Sequence, residues 1–361
     1  MVKENRQVSP FFTFYLIHCV QIGVGILGFQ RYIAKDAGHD GWISILISGL
    51  SINVILWISY KILNKSKSDI TVIHKQLFGK VIGNTLSLIF IVYLLAVTVT
   101  IARTYVEVIQ IWIFPELNTW YMIMIILSLT YVFVIKGFRI VTGVAFLSVI
   151  YGIPVIFMNW FPLQEGHFTR ILPIMDHSVG EILLGAKTMT LNFLGFETIF
   201  FFYPFIKKAE KSQKWSHLGV LFSIFIYFLS AFVAFVYFSQ SHLKDTIWAT
   251  LTLWKIVNLP FIERFEYTGI VIWLFVIVPN LCILIWSASW GLKQVTHLKQ
   301  KKGVILLLII TFICCVFFSN RVEIDLLNSL TGKAGFILIY FYIPFLYAFQ
   351  LIRLKAGKKN E

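Results

Sequence analysis

Hydrophobic stretches long enough to cross a lipid bilayer follow one another along almost the whole chain, and they restrict its fold more than any other feature. A crossing takes about 20 apolar residues at about 1.5 Å of rise each. On that rule, spans fall near residues 11–33, 42–61, 81–108, 120–136, 140–160, 184–206, 215–238, 267–291, 303–319 and 335–353. Backbone polar groups inside lipid must be bonded within the protein, so open segments of this length are helices. A hydrophobic share of 58% against 13% charged residues excludes a soluble core wrapped in a polar shell. The sequence predicts an all-α membrane protein, a single integral membrane domain over 1–361 with ten transmembrane helices.

The connections carry the charge. Of the 31 Lys and Arg, 21 fall on the side of the N-terminus: Lys3, Arg6, five from Lys61 to Lys80, Lys136, Arg139, four from Lys207 to Lys214, four from Lys293 to Lys302, and four from Arg353 to Lys359. Eight fall opposite: Arg31, Lys35, Arg170, Lys244, Lys255, Arg264, Arg321 and Lys333. Arg103 and Lys187 lie within spans. The bias places both termini in the cytoplasm. The net charge of +14 sits in short runs between spans, which suits anionic membrane lipid rather than nucleic acid. The N-terminal segment has no small-residue cleavage site, so no removable signal peptide is expected.

Ten spans make two groups of five, residues 11–160 and 184–353. Five is odd, so the second group crosses in the opposite sense: a 5+5 inverted repeat. Residues 161–183 and 239–266 read as outer connections, and 62–80 as a basic cytoplasmic loop. Within the second connection, Thr246–Val257 sets Ile247, Leu251 and Trp254 at helical spacing beside Trp248. This describes an amphipathic helix on the outer face, either a lid over an outward cavity or an interfacial anchor.

The first helix of each group is interrupted. Gly23-Val24-Gly25-Ile26-Leu27-Gly28 breaks one, and Asn192-Phe193-Leu194-Gly195-Phe196-Glu197 breaks the other, 170 residues on from Gly25 to Gly195. Each break lies roughly 16–21 Å deep, counted from opposite sides at 1.5 Å per residue. Helices 1 and 6 broken at mid-membrane create a substrate site where freed backbone N–H groups meet an anionic ligand group, such as an amino-acid carboxylate. The glycines could instead be notches for close helix packing.

Glu197 is an ionisable group deep in its span, a substrate-site or proton-coupled residue, or else a structural cap. Phe193 and Phe196 flank it and could wall a pocket. Tyr93, on the third helix, could face the site. Arg103 and Glu107 share a helix face at i, i+4 and form a structural ion pair or a gate. His18 lies one turn before the first break, where hydrogen bonding within the bundle competes with a proton relay. Asn280 follows Pro279 at a kink. Cys19, Cys282, Cys314 and Cys315 lie in apolar stretches without ligand spacing, so neither a disulfide, a metal nor another cofactor is expected. Nothing has the pattern of an enzyme's catalytic constellation.

Gly23-Val24-Gly25-Ile26-Leu27 with Arg31, then Asp40-Gly41-Trp42, Leu194-Gly195-Phe196-Glu197 and Phe261-Ile262-Glu263-Arg264-Phe265-Glu266, resemble in their joint order the bacterial spore germination permeases, the B-type subunits of nutrient germinant receptors. That resemblance covers the chain. It implies the broken-helix fold of the amino acid, polyamine and organocation transporter superfamily, and a place in the spore inner membrane with A-type and C-type partner subunits. It also implies a small germinant, often an amino acid, bound by Gly23 to Gly28 and Phe193 to Glu197. A receptor subunit is one reading. A proton-coupled amino-acid transporter, with Glu197 as carrier, is the other. An ion-conducting pore finds no ring of charge to support it.

Overall fold

The computed structural model describes residues 3–357; Lys358 and Lys359, counted above on the cytoplasmic side, lie outside the described residues. Helices α1 (Thr13–Gln21) and α2 (Phe29–Ala37) are the halves of the first span, parted by a 3-10 turn over Val24–Leu27. Then come α3 (Gly41–Ser66), α4 (Ile70–Trp112), α5 (Thr119–Ile135), α6 (Phe138–Phe157) and the short α7 (Trp160–Gln164). The sixth span consists of α8 (Val179–Met189) and α9 (Ile199–Phe202), again with 3-10 turns between. It is followed by α10 (Gln213–Tyr237), α11 (Gln240–Asp245), α12 (Ala249–Trp254), α13 (Phe265–Thr296), α14 (Gln300–Phe317), α15 (Arg321–Ile337) and α16 (Ile343–Gly357). A π turn, Leu338–Tyr342, joins the last two.

Among the described residues, seven helical stretches are long and apolar enough to cross a membrane, including Ile70–Trp112, Phe265–Thr296 and Arg321–Arg353. The 17-residue α5 and the two interrupted spans fall short of that measure. Ten crossings require one from each of those three.

The interrupted spans run antiparallel, side by side. At one end Val8 N–H donates to Phe205 O and Val8 O accepts from Lys207 N–H, both at 2.9 Å. Midway, Gln21 Nε2 donates to Phe193 O at 3.3 Å. At the far end Thr188 Oγ1 donates to Asp36 at 2.6 Å. Partners that fall in number as the first span rises are what an inverted repeat demands. Around them α13 packs against α4 and α6.

The structure moves three boundaries. The loop expected at 62–80 is almost entirely helix, because the Asp69 carboxylate caps α4 by accepting from Thr71 N–H (3.0 Å) and Val72 N–H (3.2 Å). Gly79, with φ of +80°, kinks α4 just before the apolar run begins. The tenth span starts at Arg321 rather than 335, because Asn320 and Glu323 form a reciprocal capping box. Arg321 and Lys333 therefore belong to a helix and not to a connection. Finally, the helix expected over Thr246–Val257 contracts to α12, and it is largely buried, with Thr252 half-buried. Its anchor is Thr250, whose Oγ1 donates to Ile26 O (2.7 Å) and accepts from Gln30 Nε2 (2.7 Å). The two residues just before it, Ile247 and Trp248, line the cavity beside the first break.

Candidate functional site

Breaking a helix releases carbonyls that would otherwise be bonded four residues on, and buried carbonyls need donors. At the first break those donors are neutral side chains from distant helices. Tyr227 Oη on α10 donates to Gln21 O (2.7 Å) and lies 3.2 Å from Asn192 O. Asn280 Nδ2 on α13 donates to Ile22 O (3.2 Å), and Trp273 Nε1 donates to Gly23 O (3.1 Å). With Thr250 on Ile26 O, four carbonyls of this break are satisfied without a charge. Close approach calls for glycine at Gly28, where a Cβ would sit 2.4 Å from the backbone Ile247 O; a Cβ on Gly25 would sit 2.1 Å from Asn192 Oδ1 and oblige that side chain to turn away. The Gly25 contact is the meeting of the two breaks; the Gly28 contact seats the segment before α12.

The second break receives Gln21 Nε2 on Phe193 O and Tyr227 Oη on Asn192 O, and its other end is capped by its own side chains. Gly195 adopts φ of +104°, a left-handed conformation that favours glycine. A Cβ there would also sit 2.8 Å from Val20 Cβ. Glu197, fully buried, accepts from Gly195 N–H through Oε2 (2.8 Å) and from Tyr93 Oη through Oε1 (2.5 Å). Thr198 Oγ1 donates to Gly195 O (2.7 Å). The carboxylate thus spans its own break and ties it to α4. Phe193 stacks edge-on against Tyr227 at 5.3 Å between ring centroids.

Beside the breaks lies a cavity of about 520 Å³, within the usual size for a small-molecule site. Gly23, Val24, Gly25 and Gly28 line it. Phe193, Gly195, Phe196, Glu197 and Tyr93 do not, although the structure does bring Tyr93 and Glu197 together. Glu197 turns into the bundle, where it accepts from Gly195 N–H and Tyr93 Oη, and Phe193 packs on the Tyr227 ring. Asn192 and Leu194 line the cavity from that break instead, Asn192 beside Tyr227. Gln21 and Trp248 also line it, and the Gln21 side-chain oxygen and Trp248 Nε1 are buried without a hydrogen-bond partner among the described residues. Asn192 was within reach of sequence reading as part of a break; Tyr227 carried no signal in its uniformly apolar helix.

Arg321 also lines the cavity. Its guanidinium meets Glu107 (2.8 Å), Asp325 (2.9 Å) and Tyr32 Oη (2.9 Å), and stands 5.3 Å from the Trp248 ring. The Arg103–Glu107 pair expected from i, i+4 spacing gives way to this arrangement. Arg103 turns instead to Phe318 O (2.6 Å), Ser319 O (3.2 Å) and Gln110 (3.3 Å), the exposed carbonyls at the end of α14 offering closer acceptors. His18 is bonded within the bundle, its Nδ1 2.9 Å from Ser223 Oγ. No group of three or more His, Cys, Asp or Glu is disposed to hold a metal among the described residues.

A family model described as spore germination protein matches residues 7–324. Spore germination protein GerQB of Bacillus cereus is 41% identical over 99% of each chain. Among solved structures, a Na+-coupled sialic acid symporter in a substrate-bound outward-open state aligns with a TM-score of 0.67 and 15% identity, over 92% of this chain and 77% of that one. MhsT in complex with L-phenylalanine aligns with a TM-score of 0.64 and 12% identity, over 95% and 88%. At such identities the likeness is one of fold, and the fold is that of a transporter.

Proposed function

The chain belongs to the spore germination protein family, and from that premise we propose that it is the multi-pass membrane subunit of a germinant receptor. It sits in the spore inner membrane with both termini cytoplasmic and works with A-type and C-type partner subunits. A small nutrient germinant, of amino-acid class, enters the cavity between the first break and the segment before α12. The observation that carries this reading is the convergence of Gly25, Asn192 and Tyr227 on one cavity wall. A ligand that bridges the two breaks touches both repeats, and one that prefers a single arrangement of them shifts the population of the bundle. That shift is the signal handed to the partner subunits.

Spores whose receptor carries Gly25→Leu test this directly. They are expected to lose the response to this receptor's germinant while the protein still inserts and responses through other receptors persist. A normal response would place the site elsewhere.

Transport is the second reading, favoured by the symporter fold. Uptake of labelled amino acids into proteoliposomes holding only this chain separates the two. Saturable accumulation supports transport; binding without accumulation supports sensing. Glu197 is not put forward as a proton carrier in either case, since both its oxygens are engaged and it stands off the cavity wall.

A further inference from the structure

Arg321 sits where the rules of helices disfavour it. It is the first residue of α15, an end at which the helix dipole opposes a cation. Nor is it needed to start that helix, because Asn320 and Glu323 already form the capping box. Its partners account for its position. Besides Asp325 on its own helix, the guanidinium donates to Glu107 on α4 through Nη1 and to Tyr32 Oη on α2 through Nη2, and Tyr32 Oη donates in turn to Asp325 Oδ1 at 3.1 Å. One side chain thus bonds three helices together.

Those helices belong to two packed groups: α2 packs on α8 and α3, whereas α15 packs on α4. The bond from Arg321 to Tyr32 crosses from one group to the other, four residues past Gly28 and so about 6 Å beyond the first break. The Glu107 side chain is 7% exposed and that of Arg321 26%, so the pair is shielded from the screening that weakens surface pairs. Tyr32, Trp248, Arg321 and Asp325 also line the cavity, as Gly25 and Gly28 do. The junction is therefore part of the cavity wall. The first break supplies a hinge beside it, since the 3-10 turn over Val24–Leu27 leaves α2 without a continuous helical ladder to α1.

We propose that Arg321 is a latch on the half-helix α2. While it holds Tyr32 and Glu107, α2 is fixed against α4 and α15 and the cavity is narrow at this wall. When it lets go, α2 turns on the first break and the cavity opens. Arg321 acts here as a positioning residue and not through ligand contact, and the latch serves a sensor and a transporter alike.

Access to the cavity reads the latch. In the full chain with its four native cysteines replaced, Val24→Cys or Thr100→Cys reports the cavity wall, and Phe196→Cys a buried position off it. The rate of modification by a water-soluble thiol reagent in native membranes is compared with and without Glu107→Gln. Loss of a charge-assisted hydrogen bond is expected to raise the rate at positions 24 and 100 about tenfold while position 196 stays protected. Tyr32→Phe, which keeps every charge, should raise it about threefold, and it carries the test if Glu107→Gln does not insert. Glu266→Gln takes a similarly buried carboxylate from Arg264, neither of which lines the cavity, and should leave the rates unchanged. Unchanged rates with Glu107→Gln and Tyr32→Phe overturn the proposal, as does a rise of the same size at position 196 or with Glu266→Gln.

Discussion

The two breaks occupy equivalent places in an inverted repeat and solve the same problem by different means. At the first, Tyr227, Asn280, Trp273 and Thr250 reach in from three other helices to hold four freed carbonyls. At the second, Glu197 and Thr198 cap the break from within, and only Tyr93 comes from elsewhere among the polar groups on the carboxylate. The first break presents Gly23, Val24, Gly25 and Gly28 to the cavity; of the second, Asn192 and Leu194 reach it, while the end from Gly195 to Thr198, capped by its own side chains, does not. The conspicuous buried acid is therefore a clamp, and the neutral glycine run is where a ligand has room.

This contrast sets an order of effects. Glu197→Ala leaves Gly195 N–H and Tyr93 Oη without their acceptor in a buried position, and should cost about 2–4 kcal/mol. Thermal unfolding in detergent would read that loss; a variant as stable as the parent would remove the clamp from the account. Asn280→Ala takes away one donor, to Ile22 O and Val276 O together, and should cost about 1–2 kcal/mol by the same measurement. Tyr227→Phe deletes a single hydroxyl. Hydrogen bonds between membrane helices average about 0.6 kcal/mol, so the expected loss is under about 1 kcal/mol. It should weaken ligand response more than it weakens the fold, because the hydroxyl lies where the two breaks meet. If Tyr227→Phe proves more damaging to stability than Glu197→Ala, the roles of the two breaks are reversed.

The fold was legible because its determinants are local or summed over many residues. Hydropathy marks the spans, the Lys and Arg bias gives the odd count of five its meaning, and Gly25 and Gly195 announce breaks by composition. The helix starts at Asp69 and Asn320 escape a hydropathy window because caps are polar and the residues beside them are charged, as with Arg321, Glu323 and Asp325. Much of the site was not legible. An apolar helix shows no preferred face, so nothing in α10 singles out Tyr227. Spacing put Glu107 beside Arg103, but a partner 214 residues away in the chain outcompetes it. Mid-span Glu197 invites a functional role by its cost alone; only the positions of Gly195 and Tyr93 reveal how that cost is met.

Water access measures the asymmetry most directly. In a background with Cys19, Cys282, Cys314 and Cys315 replaced, single cysteines at Val24, Thr100 and Asn192, which line the cavity, and at Phe196 and Glu197, which do not, would be exposed to a water-soluble thiol reagent in native membranes. Modification at Val24, Thr100 and Asn192 but not at Phe196 or Glu197 is the result expected. Labelling at Phe196 and Glu197 with Val24 and Thr100 protected would contradict the account.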